Sequence, residues 1–166
     1  MAPHKIAMEI ERLAADEGLR LRTTRLRALA DAPDAFGSTY AEVAARPLES
    51  WPKQLQEIAA FVAVKDGEDV GLVRCASDDQ HPDTAWLMSM WVAPEARGQG
   101  VGEALIDAVI EYARLSGAIR LLLDVGDDNE PAIALYARKG FKPNGATGSL
   151  PAPRHHIREH QRELRL

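Results

Sequence analysis

A strand-to-helix joint at Gly98-Gln99-Gly100-Val101-Gly102 restricts the folds open to this chain more than any other segment. Thr84 to Val92 before it has strand composition; after it Val101, Leu105, Ala108, Val109 and Tyr112 share one face of a helix that Ser116-Gly117 closes. The glycines permit a sharp turn and leave bare N–H groups at a helix start, where the helix dipole adds positive potential. Such a joint can cradle a phosphate, and Arg97 supplies a charged donor beside it. The spacing is not the dinucleotide fingerprint, because Glu103 stands where the third glycine belongs, and no P-loop lysine is present. A tight connection alone would also account for these glycines.

The flanking pattern describes one α/β domain over residues 1–166. Ala7 to Leu13 alternates as a short strand, and a helix opening at Ala15-Asp16 carries Leu19, Arg22, Leu26 and Leu29 until Ala32-Pro33-Asp34. Phe36 to Thr39 reads as a loop with an exposed aromatic, Tyr40 to Ala45 as a brief helix stopped by Pro47, and Pro52 as a further break. Ile58 to Val64 and Val70 to Ala76 flank Asp66-Gly67 as a hairpin and, with Thr84 to Val92, predict three antiparallel neighbours. Ile119 to Val125 is apolar enough for a strand covered on both faces, and Pro131 to Lys139 is a helix ended by Gly140. Pro143 to Pro153 reads as loop and His156 to Leu166 as a last strand.

With 46% hydrophobic and 27% charged residues the composition is that of a folded domain, and no run is long and apolar enough to span a bilayer. Charges at Lys5, Glu9, Glu11 and Arg12 break any secretory signal core, which makes the cytoplasm the expected location. The net charge of −5 argues against binding a nucleic-acid backbone and suits a cationic acceptor. Cys75 is the single cysteine, set in an apolar strand without catalytic partners. His156 and His160 have helical metal spacing, but on a segment that reads as strand and without a third ligand, so no metal is expected.

Asn129-Glu130-Pro131-Ala132-Ile133-Ala134-Leu135-Tyr136-Ala137-Arg138-Lys139-Gly140-Phe141 places an amide at a helix mouth and a phenol two turns later, both able to face one ligand. Arg97 to Gly102 resembles the Q/R-x-x-G-x-G/A loop of the GNAT superfamily of N-acetyltransferases, and Asn129 to Phe141 resembles its N-x-x-A-x-x-L-Y-x-x-x-G-F helix. The close likeness covers Met88 to Phe141, and the order of elements extends it from Met8 to about Leu166.

The resemblance implies a mixed, mostly antiparallel sheet of six or seven strands with about four helices, splayed between the fourth and fifth strands. It implies acetyl-CoA as cosubstrate, with Met90, Trp91 and Val92 offering strand backbone to the pantetheine arm and thioester. Arg97, Gly98, Gln99, Gly100, Val101 and Gly102 would hold the pyrophosphate, Asn129 the pantetheine or a water, and Tyr136 would sit beside the sulfur as general acid. Phe36, Ser38 and Tyr40 would border an amine acceptor, a small molecule or peptide, and a homodimer is a common arrangement among lookalikes.

A phenol of ordinary pKa about 10 stays protonated at neutral pH and can protonate a departing thiolate. Ser or Cys with a base is not evident as a nucleophile, so direct attack in a ternary complex is the expected route. The base is left open among Asp124, Glu159, His160 and a water chain. Tyr136 also reads as a core aromatic, and Asn129 as a helix cap. A non-catalytic acyl-CoA-binding sensor is the alternative function, and a nucleotide-binding module a third.

Overall fold

The computed structural model describes residues 8–166 and contains one seven-stranded mixed sheet. Strands β1 (Met8–Arg12), β2 (Ala59–Lys65), β3 (Glu68–Asp78) and β4 (His81–Val92) form an antiparallel ladder. Strand β5 (Arg120–Gly126) joins β4 in parallel, and β7 (Arg158–Arg165) and β6 (Lys142–Ser149) complete the order β1-β2-β3-β4-β5-β7-β6. Five α-helices accompany the sheet: α1 (Gly18–Asp31), α2 (Tyr40–Ala44), α3 (Ser50–Glu57), α4 (Val101–Leu115) and α5 (Glu130–Arg138). This is the single α/β domain with the mixed, mostly antiparallel sheet that the sequence implied, with one helix more. Ala7, where the sequence reading starts the first strand, and most of the segment weighed as a secretory signal lie outside the described residues.

The hairpin between β2 and β3 turns at Asp66 and Gly67, both with positive φ (51° and 78°). That turn matches the right-handed twist of the flanking strands. Helix α4 lays Val101, Leu105, Ile106, Val109, Ile110 and Ala113 against the sheet. The approach is close because Gly71 in β3 has no side chain: a Cβ there would lie 2.9 Å from Leu105 Cδ1 and 3.1 Å from the Trp91 carbonyl oxygen. Helix α5 runs beside α4, tied by Lys139 to Asp107 at 2.7 Å and Arg138 to Glu103 at 3.4 Å.

Four local expectations are corrected. Helix α1 begins at Gly18 and buries Leu21, Thr24, Arg25, Ala28 and Leu29, whereas Leu19 is 65% exposed. Hydrophobic periodicity picks the wrong face because two polar residues lie inside, Thr24 bonding back to the Arg20 carbonyl and Arg25 reaching across to β4. Phe36 is buried, turned inward by a short 3-10 turn at Pro33–Ala35. Pro52 opens rather than breaks structure: it sits in the first turn of α3, where an N–H has no helical acceptor, while Trp51 and Leu55 pack inward. Much of Pro143 to Pro153 is the edge strand β6, whose residues are all exposed. Its pairing with β7 supplies what glycine and proline content does not, and Pro143 is tolerated at an edge.

Cys75 is buried in β3, and burial pushes its thiol up to about 11, leaving little thiolate at neutral pH. Among the described residues no helix is long and apolar enough to cross a membrane.

Gly71→Ala is expected to lower stability by about 1–3 kcal/mol through overpacking. Urea unfolding monitored by circular dichroism should show an earlier midpoint at unchanged slope; an unshifted midpoint would mean that α4 can retreat without loss.

Candidate active site

Strand β4 changes character at its middle. Leu72 of β3 stands opposite Trp91, and Arg74 opposite Met88, so that Ser89 and Met90 together face Val73. This is a β-bulge, and Ser89 takes the left-handed conformation with φ 57°. Such a backbone costs about 1–3 kcal/mol for a non-glycine residue and persists only where its surroundings hold it. On the other side, registered pairs between β4 and β5 are Thr84–Arg120, Ala85–Leu121 and Trp86–Leu122 only.

Two adjoining cavities lie along the C-terminal half of β4. The larger, about 620 Å³, is walled by Met90 to Val92, by the glycine loop from Arg97 to Glu103, and by the first turns of α5. The smaller, about 100 Å³, lies between Leu87–Met90 and Leu123–Gly126, with Tyr136 in its wall. Phe36, Met90, Asn129 and Leu135 border both.

The glycine loop ends at Gly100, whose φ of 82° allows it to precede α4. The first helical bond there runs from the Ala104 N–H to the Gly100 carbonyl, so the N–H groups of Val101, Gly102 and Glu103 have no helical acceptor. A Cβ at Gly98 or Gly100 would meet nothing within 4 Å, which leaves the backbone open on that side. At Gly102 a Cβ would come 2.8 Å from Leu135 Cδ2, so this glycine serves the approach of α5 to α4.

Most residues expected to hold the coenzyme meet here: Met90, Trp91, Val92, Arg97, Gly98, Gly100, Val101, Gly102 and Asn129 all wall the larger cavity. Arg97 does so while already paired, with Nη2 2.6 Å from Asp31 Oδ2 and Nε donating to the Val92 carbonyl at 3.1 Å. Asp31 also accepts from Trp91 Nε1 at 3.0 Å, and Arg27 lies over the Trp91 ring, so the indole is packed and only its strand position borders the cavity. Gln99 is off the wall: its amide donates to the Glu95 carbonyl and its Oε1 accepts from Lys65 Nζ. The Asn129 amide caps α5, its Oδ1 accepting from the Ala132 N–H at 3.4 Å, and still faces both cavities.

Tyr136 is 5% exposed and packs edge-on against Phe141, with ring centroids 5.8 Å apart. Burial holds its phenol well above the ordinary value, so it keeps its proton throughout the neutral range. Tyr136 borders the smaller cavity and not the larger.

Of the three candidate bases, Asp124 stands in the wall of the smaller cavity. Its side chain is exposed by area, yet protein atoms around it raise its carboxyl pKa through desolvation, partly offset by a hydrogen bond from Gln161. Glu159 is raised for the same reason and by the charge of Asp124, with Arg154 opposing. Asp124 faces Gln161 in register, and Glu159 lies two residues along on that same face. His160 is one residue out of step, and its ring is hydrogen-bonded to Asp127.

Three features were not assigned from the sequence. Arg154, in the segment joining β6 to β7, donates to the carbonyls of Pro33, Phe36 and Gly37 at 2.7, 2.9 and 2.9 Å and pins the loop after α1 beside the cavities. Arg25 and Arg74 are 3% and 5% exposed, and both donate to the Ser89 hydroxyl, at 3.0 and 2.9 Å. The visible signal was a charge at Arg74 inside an otherwise apolar strand.

Residues 25–141 match the Acetyltransferase (GNAT) family. This chain belongs to that family of acetyltransferases. It is 36% identical over 96 residues to an uncharacterized N-acetyltransferase of Methanocaldococcus jannaschii, covering 55% of this chain and 42% of the other. It is 34% identical over 119 residues to the mycothiol acetyltransferase of Pseudarthrobacter chlorophenolicus, covering 69% and 36%. The chain thus spans less than half the length of these relatives. Its fold is shared with a Salmonella typhimurium protein solved with its cofactor acetyl-CoA, at TM-score 0.77 and 19% identity over 96% of this chain and 94% of that one.

Arg154→Ala removes three charge-assisted bonds to one loop. Hydrogen exchange is expected to quicken at least fivefold in residues 33–38 with β2 and β3 unchanged; unaltered exchange in that loop would show that Phe36 packing alone holds it.

Proposed function

We propose that this chain is an acetyl-CoA-dependent N-acetyltransferase that passes the acetyl group directly to an amine bound in the same complex. The observation that carries this reading is a glycine-lined helix start, a bulged strand and a buried, protonated phenol around two adjoining cavities. The fit to the coenzyme is chemical as well as spatial. Free N–H groups at the start of α4 suit a pyrophosphate, about 620 Å³ is ample for a small-molecule site, and strand backbone from Met90 to Val92 can pair with the amides of an extended arm.

Gly98, Gly100, Val101 and Gly102 bind the pyrophosphate through main-chain N–H groups, while Arg97, neutralised by Asp31, braces the loop they belong to. Gln99 contributes by holding the loop, since its side chain is turned onto Glu95 and Lys65. Asn129 holds the arm where the two cavities meet. When bound, the coenzyme supplies an acetyl carbon activated by a thioester. The bulge at Ser89 and Met90 interrupts the ladder and frees main-chain groups to orient the carbonyl.

The acceptor amine forms the new C–N bond as the C–S bond breaks, and Tyr136 delivers its proton to the sulfur. Asp124, with Glu159 beside it, takes the proton that an ammonium acceptor must lose, directly or through water. Their raised pKa values make them stronger bases than ordinary carboxylates. No Ser or Cys nucleophile enters this scheme, because Cys75 is buried as a neutral thiol. The reading places the protein in the cytoplasm, with a small-molecule or peptide amine as partner.

Tyr136→Phe keeps the ring and its packing on Phe141 but removes the proton. It is expected to lower kcat about 100-fold, with the acetyl-CoA dissociation constant from calorimetry within twofold of the parent. Equal losses in both would contradict the acid role. Tight binding without thiol release from any amine in a broad panel would instead favour an acyl-CoA sensor.

A further inference from the structure

Two guanidinium groups are buried under α1 without a counter-charge among the described residues. Arg25 and Arg74 are each more than nine-tenths buried, and among the described residues each makes one hydrogen bond, both to Ser89 Oγ. A guanidinium has five N–H donors, so most of this capacity is unspent, and Arg25 Nε is buried with no acceptor among the described residues. A third cation, Arg46, repels both and lies near Gln54 Oε1 at 3.4 Å, and Arg22 on α1 donates to the Ala44 carbonyl at 3.4 Å. Among the described residues, the ion pairs of the chain leave out Arg22, Arg25, Arg46 and Arg74.

The contrast with Arg20 on the same helix is direct. Arg20 is satisfied by Glu11, Glu17 and Asp69 at 2.7–2.8 Å, as a structural arginine should be. Burial and repulsion from Arg46 lower the pKa of Arg25 to about 10, and burial with repulsion from Arg25 and Arg46 lowers that of Arg74 to about 9, still above neutrality, so both remain charged. Burying like charges together strongly destabilises a fold unless something compensates, and a neutral serine hydroxyl cannot.

The uncompensated charge lies next to the reaction site. Ser89, which accepts from both arginines, walls the smaller cavity together with Asp124 and Tyr136. We propose that Arg25 and Arg74 form an anion subsite behind Ser89 that binds the carboxylate of the acceptor, making the substrate an aminocarboxylate whose ammonium end faces Asp124 and Glu159. The inference rests on the transferase reading of the same cavities. A planar guanidinium presents paired donors to a carboxylate, and Asp124 across the cavity, with the charge of Glu159 behind it, prefers a cation, so the site has opposite polarity at its two ends. The acceptor is then zwitterionic, and its charged groups set its orientation toward the bulge.

Two measurements separate the subsite from the transferase. Thermal unfolding at fixed ionic strength, with acetate or malonate titrated against chloride, reports anion binding without any coenzyme. The parent protein is expected to show a saturable rise in Tm that disappears in Arg74→Met and in Arg25→Met. Because an apolar isostere relieves a buried charge, Arg74→Met should itself unfold no earlier than the parent without added anion. If either variant fails to fold, Arg74→Lys, which keeps the charge but loses the fork, should bind the anion at least tenfold more weakly.

Thiol release is then compared for the twenty common amino acids and their carboxamides. The acids are expected to exceed their amides at least tenfold in kcat/KM, with the advantage lost in the arginine variants through KM. An anion response equal in parent and variants, or amides used as well as acids, would overturn the subsite. Loss of acetyl-CoA binding and turnover alongside a retained, arginine-dependent anion response would overturn the transferase reading alone.

Discussion

Strand β4 is asked to do two incompatible things, and the way it does both organises the rest of the molecule. Its first half is an ordinary interior strand, paired with β3 on one side and with β5 on the other. Its second half walls two cavities, where the proposed function has it present main-chain groups to a ligand, which an interior strand with a complete ladder cannot do. The bulge at Ser89 and Met90 and the end of the β5 pairing at Trp86–Leu122 resolve the conflict. Both cavities follow from that break, as does the position of the glycine loop that leaves β4 at its C-terminal end.

Helices then fix what the strand opens. Helix α4 is anchored on the sheet through Gly71, and α5 is anchored on α4 through Gly102 and two ion pairs, so the two helix starts are held on one side of the opening. Asp31 at the end of α1 bonds Trp91 and Arg97 and locks the glycine loop to the strand before it. Arg154 does the corresponding work for the loop that carries Phe36. These last two ties join segments distant in sequence, and each uses charged groups to satisfy backbone or indole groups at the rim of the cavities.

Electrostatics divides the site into territories. The start of α4 is positive through backbone dipoles, the face of β5 and β7 is acidic through Asp124 and Glu159, and the underside of the bulge is cationic through Arg25 and Arg74. The net charge of −5 hides this pattern entirely. It gave no sign of the two guanidiniums buried beneath the bulge. Stability is given up at this point of the fold, in a left-handed serine and two buried guanidiniums that share its hydroxyl, where the chemistry is proposed to occur.

The amino-acid sequence by itself determined the order of β1 to β5 and β7 with α1, α2, α4 and α5 between them, the crossover from β4 through α4 to β5, the glycine-rich start of α4 and the cap at Asn129. All of these are written in local signals: period, turn residues and short motifs. The same local reading missed the face of α1, the inward turn of Phe36, helix α3 and strand β6, because burial of Arg25, packing of Trp51 and pairing with β7 come from distant partners. Tertiary structure also decided that Arg97 is already paired, that Gln99 turns away, and that Asp124 and not His160 borders the cavity with Tyr136. Periodicity records which residues one element would bury if it stood alone. Which charges meet across a sheet, and whether anything neutralises them, is fixed only when β3, β4 and α1 are packed together and water is excluded from between them.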